Sequence, residues 1–276
     1  MKIAILLSTY NGEKFLEQQL NSILNQDFLN WQLFIRDDMS TDNTVQIIRN
    51  FTTRYENIQY LESDVNIGAA MSFMSLVANA EADYYLFCDQ DDIWLENKLT
   101  SLYNKIRTSE NKDGLLNPCL VFSDAIITDS ELNKINDSFW AYTKCNPADL
   151  INNPQYINVF NCAPGCTMIF NKQLKLHLND YSSDIYMHDW YVMIKALQIG
   201  IIDFINEPLV LYRQHSANVI GANEITLQKK ILSFFSFSKV LKQQINQYDF
   251  VKKFTRINFL YFYYLKLKFN LIRYSK

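Results

Sequence analysis

The sequence offers little with which to build a disulfide framework or a membrane span, and only Cys162-x-x-x-Cys166 as a redox or zinc pair. Its five cysteines (Cys88, Cys119, Cys145, Cys162, Cys166) are an odd number, scattered, and mostly set in apolar runs. Cys162-x-x-x-Cys166 has no second pair and no nearby histidine, so buried free thiols in a reducing compartment are expected. No run of about 18 uncharged apolar residues occurs, so no segment is expected to span a bilayer. The opening Met1–Tyr10 carries one charge and an apolar run, but the run is too short for a signal core and leads straight into polar sequence. This reads as a cytoplasmic protein. Repeats and low-complexity segments are absent. The acidic run at Asp89–Asp92 has neither the central glycine nor the later ligand spacing of an EF-hand.

What is present is an ordinary globular chain of 276 residues, 49% hydrophobic and 20% charged, long enough for a large core. The net charge of −3 conceals a division: residues 222–276 hold eleven Lys/Arg against Glu224 and Asp249, so residues 1–221 carry −12. Two roles within one chain are implied.

Strand and helix patterns alternate through the first third. Residues 2–8 form a continuous apolar run, expected as a buried strand; residues 13–26 show helical spacing with Phe15, Leu16, Leu20, Ile23 and Leu24 on one face. A strand at 31–36 precedes Asp37-Asp38, with Ser40-Thr41-Asp42 to cap a helix reaching about Phe51. Strands at 58–61 and 84–88 bracket a helix that follows Asn66-Ile67-Gly68. Such alternation predicts an α/β fold with a parallel, doubly wound sheet. A helix at about 96–109, a polar loop at 109–114 and a long strand at 119–128 follow. Residues 129–156 read as a long polar loop of functional or mobile character. Asn161–Phe170 leads into a further strand, a helix opens at Tyr186–Trp190, and residues 201–213 form the last strand before Gln214-His215-Ser216-Ala217-Asn218.

Four polar clusters each follow a predicted strand: Thr9–Glu13, Asp37–Asp42, Asn66–Gly68 and Asp89–Asp92. They are therefore expected together at one sheet edge, where open α/β folds bind ligands. Asp89, Asp91 and Asp92 would repel one another unless a cation were held there, and a hard divalent ion with oxygen ligands is the natural candidate. Because Mg²⁺ or Mn²⁺ is completed by substrate phosphates, an Asp-x-Asp at a strand end points to a metal-bound diphosphate.

The tail interleaves lysines with Ile231, Phe234, Phe235, Val240 and Leu241, then with Phe259, Leu260, Phe262, Tyr263 and Leu267. Peripheral association of 222–276 with a membrane surface is favoured over a helical pair packed on the domain. Nothing supports nucleic-acid binding.

At this point the motifs resemble a known family. Ser8–Glu13, Ser22–Gln26 and Asp37–Thr44 are similar to the opening of inverting family 2 glycosyltransferases with the GT-A fold. Cys88–Trp94, His188-Asp189-Trp190 and Tyr212–Asn218 resemble the rhamnosyltransferase-like branch. The resemblance covers about residues 2–221. It implies a GT-A domain over 1–221, with a nucleotide-binding half at about 1–95 and an acceptor half at about 96–221, and 222–276 as a helical basic extension. It further implies a mixed, mainly parallel sheet.

The site roles it implies are these. Thr9, Tyr10, Asn11, Glu13, Asp38, Asn66, Gly68, Asp89, Gln90, Asp91 and Arg213 would bind the nucleotide sugar. Asp91 and Asp89, with His215, would hold Mn²⁺ or Mg²⁺, leaving Asp92 to cap the next helix. Asp189 would be the general base, and Trp94, Cys166, His188 and Trp190 would support or touch the acceptor. An arginine that many members carry after the Asn-x-Gly segment is replaced by Ser72-Phe73, which fits a different nucleotide such as a deoxythymidine diphosphate. The expected activity is metal-dependent inverting transfer of a sugar, from dTDP-rhamnose or a UDP-hexose, to a cell-surface polysaccharide or lipid-linked glycan at the inner face of the cell membrane. The oligomeric state is left open. Alternatives are a sugar-phosphate nucleotidyltransferase, which should carry a Gly-rich, Arg-containing loop where Thr9–Gly12 offers one glycine, and a non-catalytic glycan- or membrane-binding protein.

Overall fold

A computed structural model describes residues 1–111, 116–181, 185–215 and 237–275. Part of the expected loop at 109–114, the Ser216-Ala217-Asn218 end of the last motif, and the stretch of the tail containing Ile231, Phe234 and Phe235 lie outside the described residues.

Among the described residues nine strands form one mixed sheet in the order β3-β2-β1-β4-β8-β6-β9-β5, with β7 paired to β6. The strands are β1 Ile3–Thr9, β2 Trp31–Asp37, β3 Ile58–Leu61, β4 Tyr84–Cys88, β5 Ile93–Trp94, β6 Cys119–Thr128, β7 Lys134–Asn136, β8 Met168–Asn171 and β9 Ile201–Arg213. The first four pair in parallel, as do β6 and β9, whereas β8 runs antiparallel to both β4 and β6.

Alternation along β1 explains the layering. Ile3, Ile5 and Leu7 join one apolar cluster with α1 (Leu16–Leu24), α2 (Thr44–Arg54) and α4 (Lys98–Glu110). Ala4 and Leu6 point the other way, into a second cluster with α3 (Ala69–Asn79). A strand covered on both faces has no reason to alternate in polarity, which is why β1 reads as an unbroken apolar run.

Residues 129–156 are not one long loop. They hold β7, α5 (Phe139–Tyr142), α6 (Pro147–Asn152) and a 3-10 turn at Pro154–Asn158. Ser138 and Asn146 cap the two short helices. Buried Trp140, Leu150 and Tyr156 explain the order, since they anchor the segment to the second cluster. Anchors of such irregular spacing leave no periodicity in the sequence. A short helix α7 (Lys172–Lys175) and then α8 (His188–Ile199) complete the domain.

The described part of the tail is a helical pair, α9 (Phe237–Phe254) and α10 (Phe259–Ser275), packed on the second face. Phe250, Val251, Phe262, Leu265 and Phe269 share its core. Phe250 lies 5.7 Å from Trp190, and Phe269 lies 5.1 Å from Tyr156, centroid to centroid. The Arg273 guanidinium donates to the Thr143 carbonyl. The packed pair, set second in the sequence reading, is therefore the observed arrangement. Its outward side nevertheless exposes Leu260, Leu267 and Leu271 by 80%, 63% and 62%. Among the described residues no helix is long and apolar enough to cross a membrane. All five cysteines are free and buried.

Candidate active site

The carboxyl ends of β1, β2, β3 and β4 bring the four polar clusters to one edge, where they are tied by short hydrogen bonds. Thr9 Oγ1 donates to Asp37 Oδ1 at 2.8 Å, and the Asp38 amide donates to the Thr9 carbonyl at 2.8 Å. Asn11 Oδ1 accepts from the Thr41 amide, while Glu13 Oε2 accepts from the Asn43 amide and side chain at the start of α2. The N-cap position of α2 is Asn43, one residue beyond the expected Ser40–Asp42; Asp42 accepts from the Thr44 amide and hydroxyl at the helix start. Gln90 clamps the two central loops: its Oε1 accepts from the Tyr10 amide at 2.9 Å and its Nε2 donates to the Tyr10 carbonyl at 3.0 Å. A Cβ at Gly12 would stand 2.3 Å from Gln90 Oε1, so only glycine leaves room for this clamp.

Asp38 is buried and doubly engaged. Its Oδ1 accepts from Arg36 at 2.6 Å and from the Ile67 amide at 2.8 Å, and its Oδ2 accepts from the Gly68 amide at 2.7 Å. Asn66 adds a bond to the Asp38 carbonyl. Gly68 has φ 77°, a backbone conformation that glycine adopts without strain. Arg36 was missed by sequence reasoning. It reaches Ser72 Oγ at 3.0 Å as well as Ser63 and the Val65 carbonyl, and so puts a guanidinium beside the position where the family resemblance suggests an arginine on α3.

The acidic cluster divides into an inner and an outer part. Inside, donor atoms of Asp89, Asp92 and Cys166 lie within 4.8 Å of one another. Burial, then the charges of Asp91 and Asp189, push the Asp89 carboxyl up to about 7. Asp92 is raised well above the usual carboxylate range, by burial and then by Asp91 and Asp89. The Cys166 thiol, itself kept protonated by burial, lies beside both carboxyls and has one proton to share between them. Asp92 does not cap α4, because β5 intervenes and that helix starts at Lys98; it accepts from the Arg213 amide at 3.0 Å instead.

Outside, Asp91 Oδ2 lies 2.7 Å from His215 Nε2. Asp91 and His215, with Asp89 two residues away in the chain, offer two carboxylates and an imidazole, although the ligand group that lies within 4.8 Å among the described residues is the inner one. Two carboxylates and an imidazole suit Mn²⁺ or Mg²⁺, whereas the buried thiol of the inner group does not suit a hard ion. Arg213 acts as a clamp behind them. Its Nε donates to the Asp91 carbonyl at 2.6 Å, Nη1 to the Ser130 carbonyl at 2.7 Å and Nη2 to Gln18 Oε1 at 2.7 Å, with Phe15 under the guanidinium.

Asp189 stands in the first turn of α8, where the helix dipole favours a negative charge. Even so, burial raises its carboxyl to about 6, against hydrogen bonds from the Trp190 and Gly165 amides and the Asn161 side chain. Its charge is one of those that raise Asp89, so the two carboxyls lie close enough to interact. The adjoining His188 is buried and neutral, its pKa pushed down to about 3 by burial, and it stacks on Phe73 at 4.0 Å. A Cβ at Gly165 would meet His188 Nε2 at 2.8 Å. Trp94 and Trp190 are 3% and 4% exposed, so neither ring offers a face to a sugar. Trp190 donates to the Ile157 carbonyl and belongs to the core.

Lys98 was also overlooked. Fully buried in the first turn of α4, it donates to the Cys166 carbonyl at 2.5 Å and lies 3.5 Å over the Trp94 ring. Its helix spacing with Leu102 and Ile106 was the available signal, because that stripe faces the core. Burial pushes its pKa down to about 8, and the neighbouring acids and thiols oppose that shift.

A parallel sheet edge of this kind, with acids after β4 and a carboxyl near them on α8, has the GT-A architecture of glycosyltransferases. The fold of Staphylococcus aureus TarS residues 1–349 in complex with UDP-GlcNAc superposes with a TM-score of 0.62 at 19% identity, over 82% of this chain and 62% of that one. The mannosyltransferase PcManGT from Pyrobaculum calidifontis, in complex with GDP-Man and Mn²⁺, matches with a TM-score of 0.55 at 15% identity, over 80% and 58% of the two chains. The present chain thus spans about three fifths of those solved chains. It belongs to glycosyl transferase family 2, whose family model matches residues 4–175. The dTDP-rhamnosyl transferase RfbG of Shigella flexneri is 31% identical over 235 residues, 79% of this chain and 74% of the relative. The UDP-Glc:alpha-D-GlcNAc-diphosphoundecaprenol beta-1,3-glucosyltransferase WfgD of Escherichia coli is 27% identical over 206 residues, 74% of this chain and 73% of that one.

Proposed function

We propose that this glycosyltransferase moves a sugar, with inversion, from a nucleoside-diphosphate donor to a glycan hydroxyl, using Asp189 as general base and a divalent cation at Asp91, Asp89 and His215. The observation that carries the reading is the Asp189 carboxyl, buried in the first turn of α8, poised at about 6 and close enough to Asp89 to raise it. A base with that pKa is ionised at neutral pH yet basic enough to take a hydroxyl proton as the bond forms.

In the proposed step the acceptor oxygen attacks the anomeric carbon and passes its proton to Asp189. The bond from that carbon to the diphosphate oxygen breaks on the opposite face, which inverts the centre. Mn²⁺ or Mg²⁺, when bound, supplies the positive charge that the departing diphosphate needs. Arg213 and the Gln90 clamp hold the loops that carry Asp91 and Tyr10 in register, so their role is to position the site. His188 and Cys166 support the α8 start and the Asp89–Asp92 turn. The GT-A domain is assigned to 1–221 and the basic extension to 222–276.

The rhamnosyl- and glucosyltransferase relatives favour dTDP-rhamnose or a UDP-hexose as donor, and a lipid-linked or cell-surface glycan as acceptor. Placement at the inner face of the cell membrane is supported by the leucines exposed along α10 beside Lys268 and by the basic balance of the tail. The test is a panel of thymidine- and uridine-diphosphate sugars, with and without Mn²⁺, scored by nucleotide release in the presence of a lipid-linked glycan. Metal-dependent release with one donor is expected; no release with any donor defeats the reading.

A further inference from the structure

We propose that Met39 is a specificity-determining residue which contacts the base of the donor and favours a pyrimidine carrying a methyl at C5. The inference rests on the reading above, that the site takes a thymidine or uridine diphosphate sugar.

With the diphosphate held beside the acids that follow β4, and Asp189 on the acceptor side, the nucleoside extends along the sheet edge in the other direction. That edge runs from β4 across β1 to β2 and β3. The end of β2 lies two strand spacings from β4, about 10 Å, which places the base over the loops that follow β2 and β3. The ionic groups there are already committed. Both Asp38 oxygens accept internal bonds, and Arg36 donates to Asp38, Ser72, Ser63 and the Val65 carbonyl. Among what this end leaves exposed, beside the polar Thr41, Asp64 and Asn66, are apolar side chains: Met39 is 47% exposed, with Tyr10, Val65 and Ile67 also open.

Met39 is not exposed by default. Its φ is 69°, in the left-handed region that a residue with a side chain occupies only where its surroundings enforce it. The enforcement is visible on both sides. The Asp38 amide is tied to the Thr9 carbonyl at 2.8 Å, and the Ser40 amide to Asp37 Oδ2 at 2.8 Å. A constrained turn that presents a thioether at the base end gives an apolar contact without a hydrogen-bonding one. Thioethers adapt to flat or methyl-bearing surfaces. Such a wall separates two pyrimidines by the one apolar group in which they differ.

The test is calorimetric titration of the full chain, in Mn²⁺, with dTDP and with dUDP, which differ only in the C5 methyl. Wild type should bind dTDP about four-fold more tightly, the affinity equivalent of burying one methyl at ~0.8 kcal/mol. Met39→Gly keeps the turn, since glycine adopts this φ freely, and should bring the ratio close to one while both nucleotides still bind. Met39→Leu should preserve the preference. Equal affinities in wild type, or an unchanged ratio in Met39→Gly, overturn the assignment and leave the glycosyltransferase reading intact. Failure of both nucleotides to bind wild type removes that reading as well. Should the glycine variant not fold, Met39→Gln, which keeps the side-chain length and makes it polar, must lower the ratio in its place.

Discussion

Nε2 of His215 and Oδ2 of Asp91 lie 2.7 Å apart, although 124 residues separate them in the chain. One follows β9 and the other β4, and Arg213 joins the two ends by donating from its amide to Asp92 and from its Nε to the Asp91 carbonyl. The pair is thus built by the last strand returning to the acidic turn. His215→Ala should lower activity at subsaturating Mn²⁺ by about 10–100-fold, with partial recovery at high Mn²⁺. Asp91→Asn should show no such recovery. A Mn²⁺ titration of nucleotide release checks both.

Asp189→Asn removes the proposed base and leaves the helix turn isosteric. Turnover should fall by about 10²–10⁴-fold while nucleotide binding is retained. In the wild type, kcat/KM should rise with pH through about 6 and level above it, because the base acts only when ionised. A flat profile between pH 5 and 8 would contradict the role.

The buried carboxyls also make stability depend on pH. Asp89 and Asp189 titrate at about 7 and about 6 in the fold, above the usual carboxylate value. Between that usual value and about 7 the folded state binds more protons than the unfolded chain, so stability falls as pH rises through this window. Melting of the metal-free protein should drop from pH 5 to pH 8. Added Mn²⁺ should lessen the drop, since it replaces the protons as the compensating charge.

Lys98→Met leaves the Cys166 carbonyl and the inner acids without their buried cation. Losing one partner of a buried charged set costs about 3–5 kcal/mol, read by urea unfolding. Loss below about 1 kcal/mol would mean that the acids are protonated and need no counter-charge.

The outward stripe of α10 can be tested without disturbing the core. Leu260, Leu267 and Leu271 replaced together by Gln should leave the melting temperature nearly unchanged and reduce binding to anionic liposomes. Deleting 222–276 is a poorer experiment, because Phe250, Phe262 and Phe269 belong to the core. Unchanged liposome binding by the triple variant would exclude this face as the membrane contact.

The strand and helix order of the first 95 residues was legible because each element there obeys a single period. β3 and β4 fall at the expected residues, as β6 does further on, and the polar clusters end the strands that the sheet aligns. The sequence alone determined that four polar loops share one edge, that acids follow β4, and that the cysteines are unpaired. Partners in space had no sequence signal. Arg36 reaching Ser72, Lys98 behind Cys166, and Asp189 close enough to Asp89 to raise it all join elements far apart in the chain. The order within 129–156 was hidden for a related reason, since its anchors follow no repeat. The tail shows the limit most plainly: alternating aromatics and lysines suit a bilayer surface and a protein core equally. Only packing showed that Phe250, Phe262 and Phe269 turn inward while Leu260, Leu267 and Leu271 stay in water. Periodicity records which face of an element is apolar; what that face meets is decided by the rest of the chain.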